Sequence, residues 1–286
     1  MPVPRLGVNL PTFGPHAGPV AVAAVAEAAE RLGFHAVSAT ERLLLPAGPG
    51  WRNEAGLPES PVLDPVEALT WAAARTSRVR LATGVVDALF QPPIVLARRL
   101  ATLDVLSGGR VDAGLGQGWL PEEFTAAGVP PSRRGAGFED YLAALRACWG
   151  PDPVEHDGPV YRIPRSLVGP KPVAGTIPLA IGAVARPAVE RAARLGAGFV
   201  AGLRDWDTTA AEVGWYRAAG GRGPVSVRVN LDRDGTGDAD SVRPVVAAGM
   251  ARAAEVGADE VHWGIPDGLP PDRQVAALEH VAAAAA

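Results

Sequence analysis

Apolar residues along the chain alternate between two spacings. Short runs of apolar and β-branched residues are typical of buried strands, whereas apolar residues that recur every three or four positions are typical of one helix face. Residues 5–10 (RLGVNL) form the first strand-like run. Val22, Val25 and Ala29 then recur at helical spacing. Gly33 follows this segment and predicts the end of the first helix.

The same alternation continues to the C-terminus and predicts eight strands, each followed by a helix. The predicted strands cover residues 5–10, 35–39, 79–86, 110–115, 178–182, 197–201, 224–230 and 258–264. Helical spacing marks the segments between them, and the last four predicted helices cover residues 186–195, 208–219, 240–256 and 271–285. Strands that alternate with helices form parallel βαβ units. Eight such units favour an α/β fold, a closed (β/α)₈ TIM barrel, and an open doubly wound sheet is the alternative.

Residues 150–176 interrupt the alternation, because they contain several prolines and glycines and no helical period. We interpret this segment as an insertion on the rim of the barrel. A length of 286 residues suits one barrel that carries such an insertion. We therefore predict that residues 1–286 form a single domain.

Composition and charge narrow the function classes. The formal net charge is -4, which gives no electrostatic reason to expect nucleic acid or an anionic membrane as a partner. The chain shows neither a signal-peptide pattern nor an apolar stretch long enough to cross a bilayer. Its single cysteine, Cys148, cannot form an internal disulfide and is predicted to be a packing residue. Together these features predict a cytoplasmic protein.

The sequence contains no metal-ligand spacing, nucleophile motif or phosphate-binding loop of the common kinds. The five histidines show no metal-ligand spacing, so no metal site is predicted. His262 lies on the eighth predicted strand, where a core histidine with satisfied hydrogen bonds is the favoured interpretation. There is no G-x-S-x-G motif and no P-loop.

In a barrel of this kind the active site lies at the C-terminal ends of the strands, so the loops after the strands carry the candidates. Glu41 and Arg42 follow the second strand. Adjacent charges there face the barrel mouth and need a partner or a ligand. A Glu41–Arg42 pair that braces the rim is the alternative to a functional role.

Two glycine-containing strand ends come next. Strand three ends in Ala82-Thr83-Gly84-Val85, where a glycine indicates a bulge for curvature or a close approach of the backbone to a ligand. Strand four ends in a G-x-G-x-G pattern over residues 114–118, followed by Trp119. No helix opens at once, so a dinucleotide fingerprint is rejected. The glycines are interpreted as room for a flat ring beside Trp119, or as a simple turn.

The fifth strand leads through small residues into a helix. These residues are Gly182, Ala183, Val184, Ala185 and Arg186. The backbone N–H groups at a helix N-terminus bind anions, and Arg186 would add a charge-assisted contact. The turn therefore predicts a phosphate site, with an ordinary βα turn as the alternative.

Several segments, taken together, resemble one known family. Residues 94–149 contain the pattern A-T-L-D-x-L-S-x-G-R, the G-x-G-W turn, Glu123-Phe124 and Gly128. LGVNLP, ATER, DGPVYRIP and GPKPVAGTIPLAIGA lie before and after them. Over about residues 5–200 the chain resembles the luciferase-like flavin- and deazaflavin-dependent oxidoreductases.

The resemblance implies a flavin or deazaflavin ring in the barrel mouth and a homodimer. It implies a non-proline cis peptide at Gly84–Val85, behind the ring, and a phosphate at the turn of residues 182–186. The residues assigned to the cofactor are Thr83, Gly84, Val85, Gly116, Gly118, Gly182, Ala183, Val184, Ala185 and Arg186. Those assigned to catalysis are Glu41, Arg42 and Trp119.

Two departures from the family pattern bear on function. Arg42 stands where many deazaflavin members have histidine, and an arginine cannot easily act as a base. Trp119 stands where some deazaflavin dehydrogenases carry a proton-donating glutamate. The favoured function is coenzyme F420-dependent hydride transfer that reduces a C=C, C=N or C=O bond of a small organic substrate. A reduced-FMN monooxygenase and a barrel that only binds a ligand are the alternatives.

Overall fold

The computed structural model describes residues 3–54, 56–57, 62–202, 204–231 and 237–285. Its strands are β1 (Arg5–Asn9), β2 (Ala36–Ala39), β3 (Arg80–Thr83), β4 (Val86–Asp87), β5 (Val111–Gly116), β6 (Val154–Asp157), β7 (Arg162–Ser166), β8 (Leu179–Gly182), β9 (Gly198–Gly202), β10 (Val225–Asn230) and β11 (Glu260–Gly264). Its α-helices are α1 (Pro19–Arg31), α2 (Pro65–Ala73), α3 (Pro93–Ser107), α4 (Pro121–Ala127), α5 (Ala136–Trp149), α6 (Arg186–Arg194), α7 (Trp206–Ala218), α8 (Ala239–Val256) and α9 (Pro271–Ala285).

The main sheet closes on itself. Its strands follow the order β3-β2-β1-β11-β10-β9-β8-β5-β4, and β3 also pairs with β5. Every pairing within this sheet is parallel, and Leu81 opposite Val111 closes the ring. The predicted third strand is split into β3 and β4 around Gly84–Val85. The (β/α)₈ barrel is therefore confirmed, and the open sheet is excluded.

The apolar faces that predicted the helices are the faces that pack against the barrel. On α1, Val22 and Val25 are buried, and on α3, Leu96 and Leu100 are buried. Cys148 is also buried, as its packing role predicts. The barrel core thus accounts for most of the apolar residues that set the helical period.

The segment 150–176 has more structure than its composition predicts. It contains the antiparallel hairpin β6–β7, which the sequence analysis did not identify. Asp140 on α5 holds this hairpin, because its carboxylate accepts hydrogen bonds from the Val160 and Tyr161 N–H groups at 2.8 Å each and contacts His156 Nε2 at 2.8 Å. Burial acts to raise the pKa of Asp140, but these hydrogen bonds outweigh it and lower that pKa.

Helix α4, which begins at Pro121, two residues after Trp119, is a second element that the sequence analysis missed. It brings Glu123 and Phe124 against the barrel mouth. Within the described part of the chain, no helix combines the length and the apolar character needed to span a membrane.

Candidate active site

The peptide bond between Gly84 and Val85 is cis, as the resemblance implies. The Val85 side chain then lies beside three glycines of the neighbouring strands. A Cβ atom at Gly182 would lie 2.8 Å from Val85 Cγ1, and one at Gly116 would lie 2.8 Å from Val85 Cγ2. A Cβ atom at Gly114 would meet the Thr83 carbonyl oxygen at 2.1 Å. Gly116 and Gly182 therefore give Val85 its space, and Gly114 gives space to the Thr83 carbonyl group, a packing reason that the sequence analysis did not contain.

Glu41 is attached to this bulge. Its N–H group donates to the Val85 carbonyl oxygen at 3.0 Å, and the neighbouring Thr40 hydroxyl donates to the Gly84 carbonyl oxygen at 2.9 Å. The Glu41 carboxyl accepts a hydrogen bond from the Asp87 N–H group at 2.6 Å. Burial raises the pKa of Glu41 to about 8, and the negative charge of Asp87 contributes to this rise. Glu41 is therefore protonated at neutral pH and can donate a proton.

Asp87 lies one strand residue beyond the bulge and is buried. Its carboxylate accepts a hydrogen bond from the Gly118 N–H group at 3.0 Å, and the positive φ of Gly118 (71°) suits glycine at that turn. Burial raises the pKa of Asp87 to about 6, with a contribution from the negative charge of Glu123. Asp87 therefore changes its charge just below neutral pH.

Arg42 does not pair with Glu41. Its guanidinium donates to Glu123 Oε2 at 2.7 Å, and Glu123 also accepts from the Leu43 N–H group at 2.8 Å. Glu123 is fully buried, and the Arg42 side chain is 11% exposed. The guanidinium lies 5.2 Å from the centre of the half-exposed Trp119 ring. Arg42 and Trp119, two of the residues assigned to catalysis, thus lie together, but Glu123 already balances the charge of Arg42.

A cavity of about 280 Å³ opens at this end of the barrel, close to the lower end of the size range of small-molecule sites. Glu41 and Arg42 line it from β2 and its loop, Asn9 and Asn230 from the ends of β1 and β10, and Arg228 from below. A neutral carboxyl, two amides and guanidinium groups offer both donors and acceptors. This set suits the polar edge of a flavin or deazaflavin ring, and the residues fit such a group.

The predicted phosphate turn lies at the start of α6. No side chain of the protein caps the N-terminus of this helix. Arg186 donates to Glu190 of the same helix at 2.8 Å, so its charge is balanced there, and it lies 5.9 Å from the Trp215 ring of α7. Gly182, Ala183, Val184 and Ala185 remain predicted cofactor contacts.

Thr83 has a different position from the one its assignment implies. Its side chain is buried, and its hydroxyl donates to the Gly114 carbonyl oxygen at 2.7 Å. Thr83 and Gly84 line a second cavity, which reaches the opposite end of the barrel. Thr83 therefore joins β3 to β5 under the bulge and is not among the residues that line the mouth cavity.

Three charged residues near these cavities were missed from the sequence. Asp87 and Glu123 flank Arg42, and Arg228 projects into the barrel interior. A signal for Arg228 was available, because the strand V-S-V-R-V-N alternates apolar and polar residues and must turn the polar ones inward. Within the described ranges, no group of three or more His, Cys, Asp or Glu side chains is arranged to hold a metal ion.

Comparison with known proteins shows the family of the chain. A family model described as "Luciferase-like monooxygenase" matches residues 5–234. The uncharacterized protein Rv0953c of Mycobacterium tuberculosis is 37% identical, with 91% of this chain and 92% of that protein covered. The F420-dependent glucose-6-phosphate dehydrogenase of Beutenbergia cavernae is 33% identical over 60% of this chain and 49% of its own length.

Solved structures agree with the fold. The crystal structure of the monooxygenase RslO1 from Streptomyces bottropensis aligns with a TM-score of 0.77 and 26% identity. The alignment covers 98% of each chain. The two proteins therefore match over the whole barrel.

Proposed function

The chain belongs to the luciferase-like monooxygenase family, and from that premise we propose that it is a coenzyme F420-dependent oxidoreductase that reduces a small organic substrate. The family contains enzymes that use F420 and enzymes that act as monooxygenases. The proposal rests on one observation, the Glu41 carboxyl that lines the barrel mouth and whose pKa is raised by burial.

Reduction of a C=C, C=N or C=O bond adds one hydride and one proton to the substrate. Reduced F420, when bound, would supply the hydride. Glu41 supplies the proton, because its raised pKa keeps the carboxyl protonated near neutral pH. A glutamate side chain in water would be ionised at that pH. The carboxylate that remains regains a proton from solvent through the open mouth.

The surrounding residues hold this acid in place. The Glu41 backbone is bonded to Val85, and its carboxyl is bonded to the Asp87 N–H group. Arg42 is held by Glu123 and covers Trp119, so it forms a wall of the mouth. The predicted contacts of the turn at residues 182–186 would hold the phosphate of the cofactor.

The experiment is an anaerobic assay with reduced F420 and a panel of enones, imines and ketones, in which re-oxidation of the cofactor is followed. We expect turnover with at least one class, and Glu41→Gln should lower kcat by roughly 10²-fold, the usual contribution of a general acid. Glu27→Gln, at an exposed position on α1, is the matched control and should leave kcat unchanged.

The similarity to RslO1 over the whole chain favours a second candidate, a reduced-FMN monooxygenase. Oxygen uptake with reduced FMN, combined with no oxidation of reduced F420 by any substrate, would replace the first proposal by this one. Binding of neither cofactor would leave only the ligand-binding barrel.

A further inference from the structure

The interior of the barrel is unusually empty. Barrels of this class are filled by layers of bulky branched side chains. Here small residues face the interior below the bulge, and they leave a cavity of about 400 Å³. They are Ser38, Ala82, Gly84, Gly114, Ala180 and Ser226. The cavity opens at the N-terminal end of the strands, beside Arg5, Pro178 and Pro224, at the end of the barrel opposite the mouth.

Most charges that line this cavity are paired. Arg80 donates to Asp112, with one contact at 2.6 Å. Glu260 forms ion pairs with Arg5 and with His35. Burial acts to raise the pKa of Glu260, but hydrogen bonds from histidines outweigh it and lower that pKa. Arg80 with Asp112 and Arg5 with Glu260 therefore form two balanced pairs of opposite charges.

His262 also has its hydrogen bonds satisfied. One ring nitrogen lies 3.0 Å from the Ser38 hydroxyl and the other lies 3.3 Å from Glu260. Gly7 permits this position, because a Cβ atom there would lie 2.6 Å from the ring. The interpretation of His262 as a satisfied core histidine is thus confirmed.

Arg228 is the exception. Within the described residues its side chain has no hydrogen-bond or ion-pair partner, and its Nε atom is inaccessible to solvent. Gly84 lies next to it, since a Cβ atom there would be 3.7 Å from Arg228 Nε. Burial lowers the pKa of Arg228 to about 10, so the guanidinium still carries its charge at neutral pH.

Arg228 is only partly accessible, and a charge in such a position without a protein partner is unfavourable and uncommon in folded proteins. Its guanidinium offers a planar fork of donors that matches carboxylates and other small oxyanions. Ser226 lies two residues earlier on the same face of β10 and lines the same cavity. We propose that the cavity at the N-terminal end of the strands is a binding site for a small carboxylate or oxyanion, with Arg228 as its counter-ion.

The cavity opens at the end of the barrel opposite the mouth, but Arg228 also lines the mouth cavity from below. The test therefore uses cofactor-free full-length protein. Thermal unfolding is followed while sodium formate is raised, with the ionic strength held constant by sodium HEPES. A ligand that binds only the folded state raises Tm by mass action, and we expect a saturable rise of about 2–5 °C.

Arg228→Met removes the charge and keeps the unbranched chain, so it should abolish the formate-dependent rise. Arg228→Lys keeps the charge without the fork and should restore part of it. Arg75→Met, which removes an arginine that lies over Trp71 outside the cavity, is the matched control and should keep the full rise. A rise that persists in Arg228→Met, or no saturable rise in the wild type, overturns the proposal.

A crystallographic measurement on the unaltered protein makes the test independent of how the variants fold. Crystals soaked in sodium bromide should show an anomalous peak within hydrogen-bonding distance of the Arg228 guanidinium. Bromide peaks confined to the outer surface would show that the anion effects come from adventitious sites, and the proposal would be wrong.

Discussion

At the scale of single residues, Glu41 and its neighbours set the chemistry of the mouth. Three carboxyl groups, on Glu41, Asp87 and Glu123, lie in one cluster. Arg42 acts on Asp87 and Glu123, and the arginine whose charge acts on Glu41 is Arg99. Arg42 balances only Glu123 directly, so burial and mutual repulsion keep the proton on Glu41 and raise the pKa of Asp87. The cluster therefore differs from a simple structural ion pair, because one of its acids is neutral when the protein is at neutral pH.

The raised pKa of Glu41 predicts a pH-dependent stability. The unfolded chain releases this proton near pH 4.5 and the folded chain near pH 8, so stability falls as pH rises between these values. Glu41→Gln is neutral throughout and should be more stable than the wild type at pH 9, by about 1–3 kcal/mol. Denaturant unfolding at pH 5 and pH 9 measures this, with Glu27→Gln as the control. Parallel pH profiles for Glu41→Gln and wild type would contradict the assignment.

Asp87 raises the pKa of Glu41 through its negative charge, which gives a second prediction. Asp87→Asn keeps an oxygen to accept from the Gly118 N–H group and removes that charge. The alkaline limb of the stability profile, and of any reductase activity, should then move to a lower pH. A midpoint that stays in place or moves upward would show that Asp87 does not act on Glu41 electrostatically.

At the scale of elements, the bulge between β3 and β4 organises the mouth. Val85 fills the space beside the glycines of β5 and β8. Glu41 is hydrogen-bonded to the bulge, and Asp87 follows it in β4. A sequence that places glycine on three neighbouring strand positions can therefore reflect packing on a valine as well as contact with a ligand.

This packing predicts a compensating pair of substitutions. Gly182→Ala should destabilise the protein by about 1–3 kcal/mol, because its methyl group would overlap Val85. Val85→Ala should relieve that overlap, so the double variant should lose much less than the sum of the single losses. Gly202→Ala is the matched control, since no atom lies within 4 Å of its added methyl group. Strict additivity of Gly182→Ala and Val85→Ala would contradict the contact.

The sequence predicted the elements with a clear apolar pattern and missed the others, for a physical reason. The barrel strands are apolar runs, and the long helices have enough residues to show an apolar period. Helix α4 has seven residues, about two turns, which is too short to resolve that period. Strands β6 and β7 are at least as long as strand β2, which was predicted, but each has a single buried residue, and β7 contains a proline.

The site was predicted in part for a related reason. Glu41, Arg42 and Trp119 could be placed at the mouth because strand ends meet there. The pairing of Arg42 with Glu123 could not, since it depends on α4 folding back over the mouth. The pKa values of Glu41 and Asp87 depend on burial, which the sequence does not state.

At the scale of the whole molecule, the closed barrel has two cavities at opposite ends of one interior. The homodimer that the family resemblance implies remains a prediction. Light scattering during size-exclusion chromatography should give twice the mass of the chain, and a mass equal to one chain would contradict it. Neither cavity requires the second copy, so both proposals hold for the single barrel.

The most direct test of the central claim is a titration of the cofactor-free protein with coenzyme F420 and, separately, with FMN, followed by fluorescence. The account predicts saturable, micromolar binding of F420, with FMN weaker. It also predicts that this preference persists in Glu27→Gln. Micromolar binding of FMN without binding of F420 would contradict the proposed function.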